Sequence, residues 1–201
     1  VTQFQFIGSV ARISERYLVP LLEQLIEAFP FAILGIHADN GSEYINRQVA
    51  AMLEKLKVTE FTKSRSRQTN DNALVESKNG SVIRKHLGYA HIPASHAQAV
   101  NAFNQQTLSP YLNFHRPCFF PARYLDDKGR QRKQYRYEDM MTPYEKLRSL
   151  TGVERYLRPG ITLEQLDALA HEVSDNEAAR RLNNARAKLF KTINDTQTAV
   201  A

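Results

Sequence analysis

Two carboxylates, Asp39 and Glu76, stand where acids are unusual unless they do chemistry. Asp39 follows the apolar run 32–36, which predicts a strand buried on both faces, as in parallel sheets. In open α/β sheets, functional sites gather at the carboxyl ends of such strands. Glu76 falls within an apolar helical arc, where an ionised carboxylate is costly unless it is paired or bound to a metal ion. The position of Glu76 therefore predicts either a charged partner or a bound metal ion.

No basic side chain is placed to neutralise Glu76 from within its own helix. The positions one turn away, 72, 73, 79 and 80, are Asn, Ala, Asn and Gly. Two ordinary explanations stay open: the Asp-Asn-Gly run at 39–41 can be a simple turn, and the helix can be rotated to bring Glu76 to solvent. The predicted apolar arc consists of Val75, Val82, Ile83 and Leu87.

The motifs around both acids resemble the catalytic core of DDE-type enzymes, the retroviral-type integrases and bacterial insertion-sequence transposases. The run HADNGSEY at 37–44 is followed by NALVESKNG at 72–80, and 36 residues lie between Asp39 and Glu76. That separation is close to the one between the second and third acids of the family, which these two residues match. The resemblance covers about residues 1–115 and implies an α/β ribonuclease H-like core, a mixed sheet flanked by helices.

The resemblance also implies metal-dependent phosphoryl transfer on DNA. In the family, three carboxylates hold two Mg²⁺ or Mn²⁺ ions, which suits hard oxygen ligands. Asp39 and Glu76 would be catalytic metal ligands, not proton shuttles. The complete protein would cleave transposon ends and join them to target DNA. A homo-oligomer is implied because two ends must be handled together.

The first acid of the family has no match in this chain. It would precede the strand that residues 1–4 resemble, and residues 1–31 contain no Asp. The chain begins without Met, inside an alternation of Phe4 and Phe6 with glutamines that predicts a strand over 1–10. We therefore expect a core that is incomplete at its N-terminus and inactive alone. Two alternatives stay open: a non-catalytic DNA-binding or assembly remnant, and a hydrolytic nuclease of the same fold.

Basic side chains near the acids are candidates for contacts with DNA phosphates. The formal net charge is +6 and the pI about 9.5, which favours a polyanionic partner, although surplus surface lysine gives the same totals. In retroviral relatives two lysines follow the glutamate where this chain has Gly80 and Ile83, a departure from the family pattern. The candidate DNA-binding residues are Lys63, Arg65, Arg67, Lys78, Arg84 and Lys85.

Alternating strands and helices up to about residue 115 predict the layered α/β fold. Ser14 is the predicted N-cap of a first helix, with Pro20 in its first turn and Pro30 as its stop. A second helix is predicted from residue 45, a strand over 58–61, and helices over 73–87 and 95–112. The residues predicted to share one face are Ile45, Val49, Met52, Leu53 and Leu56 on the second helix, and Val100, Phe103, Thr107, Leu108 and Tyr111 on the last.

Residues beyond 115 predict a mostly helical C-terminal extension. Residues 116–150 read as a basic linker or hairpin around an Asp-Lys-Gly turn, and 151–201 as a helical region. Thr162 and Ser174 begin capping boxes that predict helices over 162–173 and 175–193. The basic stretch 128–136 and the last helix could bind DNA or a second protomer, or could simply be solvated.

Several classes of protein are excluded by composition. Cys118 is the single cysteine, so the chain forms neither an intrachain disulfide nor a cysteine-based zinc cluster. No apolar run approaches the length of a transmembrane helix, and the first residues lack the pattern of a signal peptide. We expect a cytoplasmic protein with DNA, not a membrane, as its partner.

Overall fold

The computed structural model describes residues 1–38, 47–63 and 79–198, and it shows a mixed α/β protein, which confirms the predicted class. The chain divides into two compact units. The first consists of Val1–Ile7 and Phe103–Ala187, and the second of Gly8–Ala102 and Lys188–Ala201. The predicted domains 1–115, 116–150 and 151–201 stay predictions.

In the second unit, α1 (Glu15–Ala28) begins and ends close to the predicted residues. Ser14 takes the N-cap position, as predicted, but its side chain makes no capping hydrogen bond. The prediction for Pro20 is wrong: because the helix begins directly after Ser14, the proline lies in the second turn. Phe29 is extended, so the helix ends before Pro30 as predicted.

Two parallel strands flank a helix in the second unit. The order is β1 (Gly35–Ala38), α2 (Arg47–Lys55) and β2 (Glu60–Lys63). Parallel pairing is confirmed, but both strands begin later than predicted. The expectation that the first strand is buried on both faces is wrong, because its residues alternate between exposed and half-buried.

The core of this part of the second unit forms where α2 packs beside α1. The predicted stripe is confirmed for Val49, Met52 and Leu53, which are buried, and Leu56 packs half-buried against them, while Ile45 lies outside the described residues. Burying such side chains is the dominant favourable term in folding, at about 1.5–3 kcal/mol for each aliphatic residue. The buried cluster consists of Ile26, Val49, Met52, Leu53 and Val58.

The helical stretch after residue 78 departs from ideal α-helix. A π-helix, Asn79–Arg84, continues into α3 (Lys85–Leu87). Val82 and Leu87 are buried, as predicted. The prediction for Ile83 is wrong, because its side chain is 38% exposed. Hydrogen bonds from i to i+5 widen the turn, so an α-helical wheel assigns the wrong face here.

The next helical stretch also departs from ideal α-helical geometry. A 3₁₀ turn, Ala94–His96, leads into α4 (Ala97–Phe103), and π-helical turns follow at Asn104–Leu108 and Tyr111–His115. On the predicted face, Val100, Phe103 and Leu108 are buried, whereas Thr107 and Tyr111 are half-buried. The buried residues of this stretch are His96, Val100, Phe103, Asn104, Leu108, Ser109, Leu112, Asn113 and His115.

The predicted strand over residues 1–10 is wrong: among the residues that the structure describes, this segment joins no sheet. Two asparagine side chains take the place of a partner strand. Asn113 accepts from the backbone N–H of Gln5 and donates to its carbonyl, both at 2.9 Å. Asn101 bonds Ser9 in the same way, at 2.7 and 2.8 Å. Each amide reproduces the two bonds that an antiparallel neighbour would make.

The first unit holds two small antiparallel pairs and three helices. β3 (Cys118–Phe119) pairs with β6 (Met140–Met141), and β4 (Ala122–Leu125) forms a hairpin with β5 (Gln131–Gln134). The structure thus shows the hairpin rather than the linker. The helices are α5 (Pro143–Arg148), α6 (Leu163–His171) and α7 (Asp175–Thr198), whose last turns belong to the second unit; 3₁₀ turns lie at Tyr137–Asp139 and Val153–Tyr156.

Capping boxes fix the starts of these helices. The box that begins at Thr162 is confirmed in both directions. Ser174 accepts from the backbone N–H of Glu177 at 3.3 Å, as predicted. Thr142 forms a further box with Glu145. Among the helices of the described chain, none is both long and apolar enough to cross a membrane.

Candidate functional site

Most of the predicted site lies outside the described residues. This holds for both candidate acids, Asp39 and Glu76, and for three of the six candidate DNA contacts, Arg65, Arg67 and Lys78. The elements on either side of them in the chain are described: β1 ends at Ala38, β2 ends at Lys63, and a helix begins at Asn79.

The two strand ends that lead toward the candidate site lie side by side. In the parallel register, Ala38 pairs with Lys63, the last residue of each strand. Asp39 follows Ala38 directly in sequence. One position earlier, the Nδ1 atom of His37 lies 2.8 Å from the Oγ1 atom of Thr62 and ties the strands together. The carboxyl ends of adjacent parallel strands are the edge at which α/β proteins build their sites.

Three of the predicted DNA contacts lie in described residues: Lys63 ends β2, and the other two, Arg84 and Lys85, are exposed. Arg84 closes the π-helix and Lys85 begins α3. The guanidinium of Arg84 lies over the ring of Tyr89, 5.4 Å from its centroid. An exposed arginine–tyrosine pair of this kind can meet a phosphate and a base at once. The geometry therefore permits, for these two residues, the contacts that the sequence predicts.

The side chains of the two candidate acids suit a divalent ion. Within 1–38, 47–63 and 79–198, no three His, Cys, Asp or Glu side chains come together to hold a metal ion. Asp39 and Glu76 supply carboxylate oxygens, the ligands that Mg²⁺ and Mn²⁺ accept most readily. The donor chemistry of the two residues therefore fits the cofactor that the family resemblance implies.

The turn of the hairpin β4–β5 contains a negatively charged side chain, Asp126, that contacts the neighbouring basic residues. Asp126 accepts from the backbone N–H groups of Lys128 and Arg130 and from the Nε atom of Arg132, at 2.9–3.0 Å. These donors, the Arg130 N–H foremost, hold the pKa of Asp126 below its ordinary value. Gly129 supplies the positive φ of the turn, 70°.

Asp126 should make hairpin stability depend on pH. Its folded pKa is depressed, so its contribution is complete above the unfolded pKa of about 3.9 and is lost as pH falls through the folded value. Thermal melts of the wild type and of Asp126→Asn should differ most above about pH 5 and converge in acid. Asp127→Asn is the matched control, since the Asp127 side chain makes no hydrogen bond to the described residues. A difference that does not shrink as pH falls would contradict this role.

Other arginines of the predicted basic regions are also paired. Arg136 makes two hydrogen bonds to Asp139, at 2.7 and 3.1 Å, and this carboxylate raises the pKa of Arg136. On α7, Arg180 and Arg181 both donate to Glu177, at 2.8 and 3.0 Å. Pairing leaves these side chains less charge to offer a polyanion than their number suggests.

A cavity of about 260 Å³ lies within the first unit, beside the π-helical turns. Its lining is mainly apolar, and its charged pair, Arg181 and Glu172, is 3.9 Å apart. His115 also lines it and bonds Asp175 at 3.0 Å. Because Arg181 and His115 already face carboxylates, the cavity is a poor place for a phosphate.

Comparison with known proteins gives one relative and no family. No protein-family model matches the chain, and no solved structure matches it significantly. "Uncharacterized protein y4rM" from Sinorhizobium fredii (strain NBRC 101917 / NGR234) is 31% identical over 102 residues. The matched region is 51% of this chain and 29% of that protein, so the chain spans less than a third of its relative's length.

Three residues gain roles that their sequence context did not predict. Asn113 and His115 lie in the run NFHRP at 113–117. The Asn113 side chain bonds the backbone of Gln5, and His115 contacts Asp175 at the start of α7. Arg123 was missed because it lies outside the basic stretch, although it directly faces Lys133 across the hairpin.

Proposed function

We propose that this chain is the catalytic-core region of a DDE-type DNA transposase or integrase. Its finer fold would be a ribonuclease H-like core, followed by a mostly helical extension. Support comes from the paired motifs around Asp39 and Glu76 and from the parallel strand pair in the second unit. The uncharacterised relative adds nothing on activity.

One observation carries the proposal: the register of β1 and β2. Pairing of Ala38 with Lys63 aligns the carboxyl ends of two parallel strands. In sequence, the residues after Ala38 begin with Asp39, and the residues after Lys63 include Arg65, Arg67 and then Glu76. A site that joins acids and basic side chains at one sheet edge suits phosphoryl transfer, which needs bound cations and held phosphates.

Each group has a distinct role in this proposal. Asp39 and Glu76 would hold the divalent ions, which supply charge stabilisation to the reacting phosphate when bound. Arg84 and Lys85, exposed on the helix that begins at Asn79, would hold DNA phosphates by charge. Lys63, the last residue of β2, and Arg65 and Arg67, which follow it in sequence, would do the same.

A strand-transfer assay tests the proposal directly. The complete gene product is incubated with a DNA duplex bearing a labelled 3′-hydroxyl end, with target plasmid, and with Mg²⁺ or Mn²⁺. We expect label to become covalently joined to the plasmid only when a divalent ion is present, because EDTA removes the proposed catalytic charge. A catalytically silent protein that still binds DNA would support the assembly alternative and contradict the proposal.

The products of this assay distinguish a transposase from a hydrolytic nuclease. Strand transfer uses a 3′-hydroxyl as nucleophile, so labelled joined products form. A hydrolytic nuclease uses water alone, so the same assay would give only shortened fragments. Fragments without joined products would replace the transposase proposal with the nuclease alternative.

A further inference from the structure

The hairpin β4–β5 presents two unlike faces. Side chains alternate along each strand, so residues that are two apart share a face. In the antiparallel register Arg123 is opposite Lys133 and Leu125 is opposite Gln131. These four side chains, all exposed, form what we call the cationic face.

Like charges lie directly opposite each other on the cationic face. Directly opposed residues of an antiparallel pair have Cβ atoms about 4.5–5.5 Å apart, and like charges there are destabilising. Neither Arg123 nor Lys133 makes an ion pair with any residue of the described chain. A face that carries this repulsion without a counter-ion is suited to an anionic partner.

The cations near the other face of the same hairpin share a carboxylate. There Arg132 is opposite Tyr124 in the register and donates to Asp126 at 3.0 Å. Arg130, in the turn, lies 3.4 Å from the same carboxylate. The hairpin thus separates its cations into a compensated group and an uncompensated pair.

Exposed aromatic rings adjoin the end of the cationic face. Tyr135 follows β5 directly and is 57% exposed, and Tyr137 is 84% exposed. Both rings pack edge-on against Phe119, with centroids 6.2 and 5.4 Å away. One fixed ring therefore positions two rings whose surfaces stay open to solvent.

We propose that this surface binds single-stranded nucleic acid. Arg123 and Lys133 would contact successive phosphates, while Tyr135 and Tyr137 would stack on bases. Cations beside open aromatic rings match both halves of an unpaired strand. In a duplex the bases are already stacked on their neighbours, so the rings would gain nothing. The proposal stands apart from the roles of Asp39 and Glu76.

Fluorescence anisotropy with a labelled 20-residue oligo(dT), without divalent ions, tests this surface. For the full chain we expect the double variant Arg123→Gln/Lys133→Gln to bind about tenfold or more weakly at 0.1 M salt. Its plot of log affinity against log salt should be shallower by about 1.4, or 0.7 for each lost phosphate contact. The matched control is Arg132→Gln/Arg136→Gln, which removes the same charge from paired arginines and should change affinity by less than threefold.

Two further measurements exclude a merely structural role. The double variant should melt up to about 4 °C higher than the wild type, because the opposed charges are gone. Tyr137→Ala should weaken oligo(dT) binding about fivefold, the loss expected for one stacked base, and should leave the melting temperature within about 1 °C. Weaker binding together with equal or greater stability identifies a surface used for binding.

Three results would overturn the proposal. The first is equal weakening by both double variants, which would show a response to net charge alone. The second is equal or tighter binding of a 20-base-pair duplex, which would exclude base stacking. The third is a change of oligomeric state in ultracentrifugation with oligo(dT) binding unchanged, which would make this face a contact between protein copies. These three measurements can be made even if the protein does not catalyse strand transfer, because none of them requires DNA cleavage or a metal ion.

Discussion

Asp39→Asn and Glu76→Gln are each expected to lower strand transfer by the complete protein about a thousandfold or more. Each change keeps the size of the side chain but removes the negative charge that a divalent ion requires. Metal ions contribute several kcal/mol of transition-state stabilisation, and each 1.36 kcal/mol is tenfold in rate. Initial rates of plasmid joining, followed over hours at saturating Mg²⁺, measure the loss.

Matched controls make this result specific to the two proposed ligands. Asp127→Asn and Glu60→Gln repeat the same chemical changes at exposed positions and should alter the joining rate by less than twofold. DNA affinity of the Asp39 and Glu76 variants should be kept or slightly raised, because a charge that repels phosphate is removed. Parallel loss of DNA binding and joining would contradict a metal-ligand role, and so would a joining rate near that of the wild type.

Local sequence signals predicted the elements that depend only on local physics. The stripe on α2 follows from 3.6-residue periodicity, and the Thr162 box from two reciprocal hydrogen bonds within four residues. Pro30 ends α1 through its own ring. Such features need no information from distant parts of the chain.

Two effects explain the predictions that were wrong: hydrogen bonds from distant residues, and π-helical turns. Residues 1–10 have the alternation of a strand, but the bonds of Gln5 come from the Asn113 side chain, far away in sequence. The face assigned to Ile83 was wrong because a π-helical turn replaces an α-helical one there. Sequence periodicity carries no signal for either effect.

The two candidate sites also differ in how far the sequence could predict them. The spacing of Asp39 and Glu76 is visible in the sequence, and the strand register adds the alignment of the two strand ends. The cationic face was not visible, because Arg123 and Lys133 meet only through the hairpin register. A count of basic residues over 128–136 does not distinguish cations that are paired with carboxylates from cations that are unpaired and can bind an anion.

Asn113→Leu should cost about 2–4 kcal/mol of the free energy of unfolding. Leucine has a similar volume but cannot bond the N–H and carbonyl of Gln5, and each polar group left unsatisfied costs about 1–3 kcal/mol. Asn113 is only 1% exposed, so water cannot replace it without rearrangement. Urea denaturation measures the change, and Asn184→Leu on the exposed face of α7 should change the free energy by less than about 0.5 kcal/mol.

A second variant tests whether the two hydrogen bonds themselves carry this stability. Asn113→Asp keeps an acceptor for the Gln5 N–H but turns a second oxygen toward the Gln5 carbonyl. Burial and this repulsion should raise the folded pKa of the new carboxyl, so its stability deficit is largest at pH 7 and shrinks as pH falls through that value. The protonated acid can donate to the carbonyl as the amide did. A deficit that is independent of pH between 4 and 7 would show that side-chain packing, not the paired hydrogen bonds, holds residues 1–7 in place.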